Sequence, residues 1–412
     1  MKPILLPYGA DEPLLLEPGH HAEAIDLSGP EGSIGGAAAA VVAAALDRPE
    51  GVPPLERHVV AGDRVAVAVS GSVPCPEAVV GVVRERLERA GIAPDDTIVL
   101  RAPPIAGLDD AGPADGGEGG TGGAHAIPGE RRFDPGHESE SAYIAADAEG
   151  SPLHVARTLV DADVVVAVGG FSWDAALGGA ALAGELWPAF ARATSRRDVT
   201  RRLARGGRLA VGDLRERARD IGWHLGTMAS LRVVPGRGDS LHAAVFGTPA
   251  SAGEKATSLA RGWRPRVDGS ADLAVASLAG TSSGWSRVVR GVAAAARAVR
   301  PDGTICLACR LVTPPGPVLL RWRQGAPLAA LVREALASGD DMLVENAVQT
   351  RFLAKALGQR RLVLLSDLDG ETVEELEFGH AAGPEAVERL AARAERLVVF
   401  HEADRMLPRR RR

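Results

Sequence analysis

Apolar and polar positions along this chain alternate in blocks that predict strands followed by helices. Residues 64–70 (RVAVAVS) form an apolar, β-branched run that is typical of a buried parallel strand. Pro76 and Glu77 then open a predicted helix, whose apolar residues recur at helical spacing and which Gly91 ends. Residues 97–100 predict the next strand, so these three elements make one βαβ unit with a right-handed connection.

The same alternation continues to the end of the chain. Ser151 and Pro152 are residue types that begin helices, so we expect a helix at residues 151–161. Residues 163–169 (DVVVAVG) form a second apolar run that predicts a buried strand. Further strands are predicted at residues 272–278, 304–310, 361–366 and 397–401. Further helices are predicted at about residues 35–46, 195–205, 240–262, 287–300, 327–338 and 344–357, and after Pro384.

A change of composition at residues 263–271 (WRPRVDGSA) divides the chain into two regions with the same α/β rhythm. We expect a first domain over residues 1–265 and a second over residues 266–412. Because strands alternate with helices in both, the predicted class is α/β, with mostly parallel sheets flanked by helices. Residues 103–140 are rich in Gly and Asp and bury little apolar area, so we expect a mobile surface loop there.

Composition and charge narrow the classes of protein to consider. The chain has 412 residues and a formal net charge of −6, which argues against a nucleic-acid partner because such binders usually present a basic face. The arginines at residues 409–412 are expected to form a solvated end. No apolar run reaches the ~18 residues of a membrane span, and three cysteines are too few for a disulfide scaffold. We therefore expect a cytoplasmic protein with no membrane partner.

Residues just after the predicted strand 163–169 are the first candidates for a site. Asp174 follows the carboxyl end of this strand, where open α/β sheets place ligands. It serves either as a base or, as we favour, as the cap of a following helix. Two glycine pairs, Gly169 with Gly170 and Gly178 with Gly179, let backbone N–H groups approach a phosphate, or they only allow tight turns.

Cysteines and histidines do not form a metal-binding motif. Cys306 and Cys309 lie on a predicted strand, where positions three apart point to opposite faces, so we expect no redox or metal pair there. His125 and His137 lie in or beside the predicted loop, where a lone histidine is usually solvated. The spacing of these residues predicts no metal site.

Several segments, in order, resemble the nickel-dependent lactate racemase family. Residues 45–76 are similar to the family's entry into its first strand, and residues 161–190 are similar to its glycine-rich segment after a later strand. Residues 271–280 and 297–310 are similar to elements of the family's C-terminal domain. The resemblance implies two α/β domains with a cleft between them, and a small molecule as the partner in that cleft. It leaves the oligomeric state open.

The resemblance also implies a chemistry for that cleft. In the family the cleft holds a nickel pincer nucleotide made from nicotinic acid, which is tethered through a lysine, and a histidine completes the metal site. Two further histidines act as acid and base while hydride leaves and returns at the carbon of a 2-hydroxy acid.

This chain departs from the family at the reactive positions. Ala181 stands where the family has its tethering lysine, and Trp173 or Asp174 stands where it has a histidine. Residues 70–74 (SGSVP) replace the motif that carries the family's aspartate and arginine, and Ser70 and Ser72 are the cofactor-binding candidates in that stretch. The cofactor of this chain is therefore unknown from its sequence.

Three hypotheses follow. The chain is a family member that no longer racemises by the nickel route, and acts as a binding or regulatory relative. Alternatively, it is an active racemase or epimerase with a different set of residues. As a third alternative, it is an unrelated nucleotide-binding α/β enzyme. The missing lysine and histidines favour the first over the second, and the ordered set of similar segments disfavours the third.

Overall fold

The computed structural model describes residues 3–9, 13–109, 127, 129–146, 150, 152–182, 184, 186–206, 208–227, 229–280 and 283–411. Two six-stranded sheets organise this part of the chain. In the first sheet Ser230–Pro235 and Leu241–Gly247 are antiparallel, and all other neighbouring strands are parallel. Its strands, in spatial order, are Leu241–Gly247, Ser230–Pro235, Val164–Gly170, Val65–Ser70, Thr97–Arg101 and Glu130–Arg132.

The second sheet is parallel throughout. Its strands, in spatial order, are Gly379–His380, Arg361–Leu365, Val299–Ala308, Ala271–Ser277, Arg396–Phe400 and Glu23–Leu27. The last of these comes from the N-terminal region and covers the edge of Arg396–Phe400, which would otherwise expose unpaired backbone groups. The domain division at residue 265 stays a prediction, and the second sheet crosses it by taking this edge strand.

Four two-stranded pairs and a set of helices complete the described elements. The pairs are Ile4–Leu6 with Leu14–Leu16, Ser141–Ala146 with Pro152–Ala156, Trp173–Asp174 with Gly179–Ala180, and Arg266–Val267 with Arg409–Arg410. The α-helices are Gly35–Asp47, Pro76–Arg89, Arg157–Val160, Leu186–Ala189, Ala193–Arg205, Arg208–His224, Pro249–Leu259, Trp285–Ala295, Pro317–Arg323, Leu328–Ser338, Asp341–Leu357, Gly370–Glu375 and Pro384–Arg393. Short 3-10 helices are Leu55–Arg57, Pro94–Asp96, Glu138–Glu140, Ala260–Trp263 and Ala403–Arg405.

Apolar cores lie on both faces of each sheet. Val67 on the first sheet packs with Val42 and Val83 of two helices, whereas Ala66 faces Leu159 and Phe190 on the other side. The second sheet is covered in the same way, with Val387 of one helix on one face and Val292 of another on the opposite face. The predicted class, α/β with mostly parallel sheets flanked by helices, is confirmed.

The two halves of the chain meet in a continuous apolar core. Phe171 and Trp173, which follow a strand of the first sheet, belong to the same buried cluster as Val292 and Phe400 of the second half. A second contact joins helix Ala193–Arg205 to helix Asp341–Leu357 through apolar side chains. We call these two contact regions together the junction. Within the described residues no helix combines the length and apolar character that a membrane crossing requires.

Two predicted helices are wrong. Residues 152–156 form a strand that pairs with Ser141–Ala146, and only Arg157–Val160 is helical in the predicted 151–161 segment. Leu153 and Val155 alternate inward, and Pro152 occupies the first position of the strand, where no N–H is needed. The predicted helix 240–262 begins as the strand Leu241–Gly247 and becomes helical only from Pro249. Ser151 itself lies outside the described residues.

Two predicted loop-like segments have ordered parts. In the glycine-rich segment, residues 110–126 and residue 128 lie outside the described part, while Glu130–Arg132 forms the edge strand of the first sheet. The side chains of residues 409–411 are exposed, as expected of a solvated end. Their backbone, however, pairs with Arg266–Val267 inside the segment that was predicted to be a linker.

Candidate functional site

A short antiparallel hairpin follows the strand Val164–Gly170 at its carboxyl end. Trp173 pairs with Ala180 and Asp174 pairs with Gly179, and a tight turn joins the two arms. Gly178 has a φ of +73°, a backbone conformation that glycine adopts without steric cost. We call residues 173–180 the site hairpin. It carries three of the residues that the sequence singled out, namely Asp174, Gly178 and Gly179. It also lies at the edge of the sheet where parallel strands place ligands.

Asp174 is the buried acid of the site hairpin, with 2% of its surface exposed. Its Oδ1 accepts a hydrogen bond of 2.8 Å from the backbone N–H of Leu177. Asp174 therefore caps the turn of a hairpin, not the helix that the sequence suggested. Burial raises the pKa of the Asp174 carboxyl, while Arg290, the N–H groups of the turn and Arg215 act in the opposite direction.

The two arginines that act on Asp174 come from opposite halves of the chain. Arg215 lies in helix Arg208–His224, and its Nη2 donates a 2.6 Å hydrogen bond to the carbonyl oxygen of Ala180. Arg290 lies in helix Trp285–Ala295, which packs on the second sheet. The site hairpin is thus placed between cations that belong to both halves.

Trp173 anchors the hairpin in the core. Its indole Nε1 donates a 2.9 Å hydrogen bond to the carbonyl oxygen of Ala260, and its ring meets Phe171 edge-to-face at 5.2 Å between centroids. On a further side, the guanidinium of Arg264 lies 4.4 Å from the ring centroid, within range of a cation–π contact. These contacts hold Asp174, the next residue, in a defined place.

The other predicted site residues lie at the ends of two neighbouring strands. Ser70 pairs with Gly169 across the first sheet, so the structure brings the serine and glycine candidates together. A Cβ on Gly170 would overlap the carbonyl oxygen of Ser72, and a Cβ on Gly169 would overlap the carbonyl oxygen of Gly184. These close approaches of backbone to backbone account for both glycines without a ligand, and a role in cofactor binding stays a prediction.

Arg232 is a buried arginine beside Gly169 that sequence reasoning missed. It lies in the buried strand Ser230–Pro235, and its Nη1 donates a hydrogen bond to the carbonyl oxygen of Gly184. An arginine inside an apolar run is a visible signal, because a buried cation needs a partner. Arg215 and Arg290 gave no such signal, since helices commonly carry arginines on their solvent faces.

Ala181 is the residue that the sequence resemblance places at the family's lysine. Its side chain is a methyl group, and its backbone N–H donates a 2.9 Å hydrogen bond to the carbonyl oxygen of Ser172. Of the two described lysines, Lys255 pairs with Glu50 at 3.1 Å and Lys355 is exposed in a helix of the second half. Across the ranges that the structure describes, no three His, Cys, Asp or Glu side chains converge as a metal site requires.

The histidines and cysteines that the sequence analysis considered do not form a metal site among the described residues. His137 is exposed and shares a 2.8 Å contact between its Nδ1 and Ser139 Oγ, while His125 lies outside the described residues. Cys306 and Cys309 are buried free thiols. A separate cavity of about 370 Å³ lies beside helix Arg208–His224, next to Leu153, and none of the predicted site residues lines it.

Two solved structures are similar to this fold, whereas sequence comparisons give no match. No protein-family model and no curated protein matches the sequence. The lactate racemase apoprotein from Thermoanaerobacterium thermosaccharolyticum is similar in structure, with a TM-score of 0.71 and 16% identity, over 99% of this chain and 100% of that chain. A Thermotoga maritima protein solved by a structural genomics consortium has a TM-score of 0.61 and 12% identity, over 90% of this chain and 98% of that chain.

These likenesses establish that this chain has a lactate racemase-like fold over its whole length. At 16% identity they concern the fold alone, because one scaffold hosts many unrelated activities.

Proposed function

We propose that this chain is a divergent relative of lactate racemase that does not work through the nickel pincer cofactor. The observation that carries the proposal is Ala181. It stands where the resemblance implies the family's tethering lysine, and its methyl group forms no covalent link to a cofactor. The described residues also lack a converging set of metal-ligating side chains. On this proposal the cofactor does not fit the site, and the scaffold serves to bind a small molecule.

We further propose that the ligand is a small carboxylate such as a 2-hydroxy acid, bound at the junction next to the site hairpin. Guanidinium groups are suited to carboxylates, and Arg215 and Arg290 approach the hairpin from opposite halves. The Asp174 carboxyl is a group able to accept a hydrogen bond from the ligand's hydroxyl. Because Asp174 is only 2% exposed, binding would require the halves to move apart locally.

The cofactor proposal is tested by metal analysis. The chain is coexpressed with the enzymes that synthesise the pincer nucleotide, purified, and analysed for nickel by mass spectrometry and for cofactor by its absorbance. An Ala181→Lys variant and an authentic lactate racemase are prepared in parallel. We expect no stoichiometric nickel in the wild-type chain. One nickel per wild-type chain, together with cofactor absorbance and lactate racemisation, would overturn the proposal.

The ligand proposal is tested separately by thermal unfolding with D- and L-lactate and with malate. A ligand that binds the folded state raises the melting temperature as its concentration exceeds the dissociation constant. We expect a rise in the wild-type chain that is reduced in an Arg290→Met variant and kept in Arg389→Met, an exposed arginine on another helix. The absence of any rise with these acids would remove them as ligands.

A second candidate function is supported by Asp174 itself. Burial raises the pKa of the Asp174 carboxyl, and buried carboxyls with raised pKa values are a type of group that enzymes use for proton transfer. It would serve as a base for a hydroxyl proton in a racemase with a non-standard residue set. Chiral chromatography of lactate, after incubation with wild-type or Asp174→Asn protein, measures racemisation and tests whether Asp174 is the base. Activity that the variant retains would exclude Asp174.

The nucleotide-binding alternative has less support. A phosphate site at Gly169 and Gly170 requires backbone N–H groups that face open space. The space beside Gly169 is filled instead by the carbonyl oxygen of Gly184 and the guanidinium of Arg232, and the space beside Gly170 by the carbonyl oxygen of Ser72, so no room is left for a phosphate there.

A further inference from the structure

Five arginines meet near the place where the C-terminal strand pairs with Arg266–Val267. We call them the arginine cluster. Its members are Arg264, Arg297, Arg360, Arg409 and Arg410. They come from four separate parts of the sequence, which the tertiary structure brings together. Their gathering is unexpected in a chain with a net charge of −6.

Neutral carbonyl oxygens hold three guanidinium groups of the cluster in place. Arg410 Nε donates a 3.0 Å hydrogen bond to the carbonyl oxygen of Arg297, and Arg297 Nη1 donates one of 3.3 Å to that of Pro408. Arg360 donates from Nε and Nη2 to the carbonyl oxygen of Val299, at 3.1 and 3.0 Å. Arg360 Nη1 also donates to the carbonyl oxygen of Leu357 at 3.4 Å, and Arg410 Nη2 donates to that of Ala296 at 3.5 Å. Because all these acceptors are neutral, the net positive charge of the groups remains.

Acidic side chains close to the cluster in sequence are engaged elsewhere. Asp268 accepts from Ser270 and pairs with Arg396 at 3.2 Å, and Asp302 pairs with Arg300 at 3.2 Å. Among the residues that the structure describes, none of the five arginines forms an ion pair with a carboxylate. The buried Nε of Arg264 has no hydrogen-bond partner there either.

The positive charges act on one another. Burial lowers the pKa of Arg264, and the neighbouring charges of Arg409 and Arg297 lower it further. Burial also lowers the pKa of Arg297 and of Arg360, in each case assisted by Arg410. A group of like charges raises the free energy of the folded state unless an anion binds to it.

We propose that the arginine cluster binds a phosphate group, on a soluble phosphorylated molecule or on a lipid headgroup. Guanidinium groups match the oxygens of phosphate in pairs of hydrogen bonds, and the doubly charged anion offsets several cations at once. Arg409 and Arg410 form the exposed side of the cluster, and the half-buried Arg297 and Arg360 lie behind them. One member, Arg264, contacts Trp173 of the site hairpin. The cluster does not include Asp174, Arg215 or Arg290, so the proposal does not depend on the function proposed for the hairpin.

Calorimetric titration with inorganic pyrophosphate, in buffers matched in ionic strength with sodium chloride, tests the proposal. We expect saturable binding by the wild-type chain that weakens about tenfold or more in the double variant Arg409→Gln/Arg410→Gln, which removes two charge-assisted contacts. Arg389→Gln is the matched control, since Arg389 is an exposed arginine outside the cluster, and its binding should equal that of the wild type. Arg409→Gln alone should weaken binding in the same direction.

A second arm distinguishes the two sources of phosphate. Cosedimentation with phosphatidylcholine vesicles that contain phosphatidic acid is compared with the pyrophosphate titration for the same variants. Binding in either arm that is lost in the double variant supports the proposal and identifies the source. Binding in neither arm, or equal binding by wild type and double variant, overturns it.

Discussion

Arg351 donates a hydrogen bond of 3.0 Å from Nη1 to the carbonyl oxygen of Leu203, and this bond ties together two helices from opposite halves of the chain. Leu203 lies near the end of Ala193–Arg205, and Arg351 lies in Asp341–Leu357. The guanidinium occupies the space beside Gly206, whose φ is +73°. The junction at this point depends on a residue without a side chain.

A Gly206→Ala substitution is therefore expected to destabilise the protein. The new Cβ would overlap the guanidinium of Arg351, and the positive φ is strained for alanine, so we expect a loss of about 1–3 kcal/mol in the free energy of unfolding. Urea unfolding measures it. The control is Gly253→Ala, in helix Pro249–Leu259, where an added Cβ meets nothing within 4 Å and a gain of roughly 0.5–1 kcal/mol is expected. Equal effects of the two substitutions would contradict this account.

Arg405 makes another contact between the halves. Its Nη1 donates to the carbonyl oxygens of Gly236 and Gly238, at 3.1 and 2.6 Å, in the loop between two strands of the first sheet. Arg405→Met leaves these acceptors without their charged donor, so we expect a loss of about 1–3 kcal/mol in stability. Arg389→Met, at an exposed surface pair, should change stability by less than ~0.5 kcal/mol. If calorimetry gave the same melting temperature for both variants, Arg405 would not join the halves.

The buried Asp174 predicts a pH dependence of stability. Its folded-state pKa lies above the value of 3.8 that it has when unfolded, so the folded state binds more protons in the interval between the two. The stability contributed by the protonated carboxyl is present below pH 3.8 and is lost as the pH rises through the folded-state pKa. Asp174→Asn stays neutral, and it should gain stability relative to wild type as the pH rises above 3.8 towards the folded-state pKa.

Urea unfolding of wild type and Asp174→Asn at a series of pH values measures this difference. Asp369→Asn is a suitable control, because Asp369 is an exposed helix cap whose pKa is lowered by the backbone N–H of Thr372. Its difference from wild type should change with pH in the opposite sense. A difference between wild type and Asp174→Asn that stays constant with pH would show that Asp174 is not held in an unfavourable charged state.

The three free cysteines should differ in reactivity. Burial raises the pKa of Cys306 and of Cys309 to about 12, and their thiols are shielded, so we expect neither to be alkylated in the folded protein at pH 8. Cys75 is half-buried, and its thiol should react slowly because burial and Asp239 raise its pKa. Mass spectrometry after iodoacetamide treatment, with a urea-unfolded sample as reference, counts the modified residues. Alkylation of Cys306 in the folded state would revive a redox role for this pair.

Local signals in the sequence determined the elements with strong patterns. The apolar run at Val65–Ser70 is a buried strand, and the proline at position 76 opens a helix that ends near Gly91, whose φ is +92°. The sequence also placed Asp174 correctly after the carboxyl end of a strand. Ser70 lies beside Gly169 because the two residues end neighbouring parallel strands. These features depend on residues close together in the chain, where periodicity and turn chemistry decide the outcome.

Pairing between distant segments was decided only by the tertiary structure. Pro152–Ala156 and Leu241–Gly247 carry residues that suit a helix locally, but each is a strand because a partner strand supplies its hydrogen bonds. The same is true of Glu23–Leu27 in the second sheet, of the arginines that surround Asp174, and of the arginine cluster. Sequence patterns report which face of an element is apolar, whereas the identity of the facing element depends on the energy of the whole packed chain.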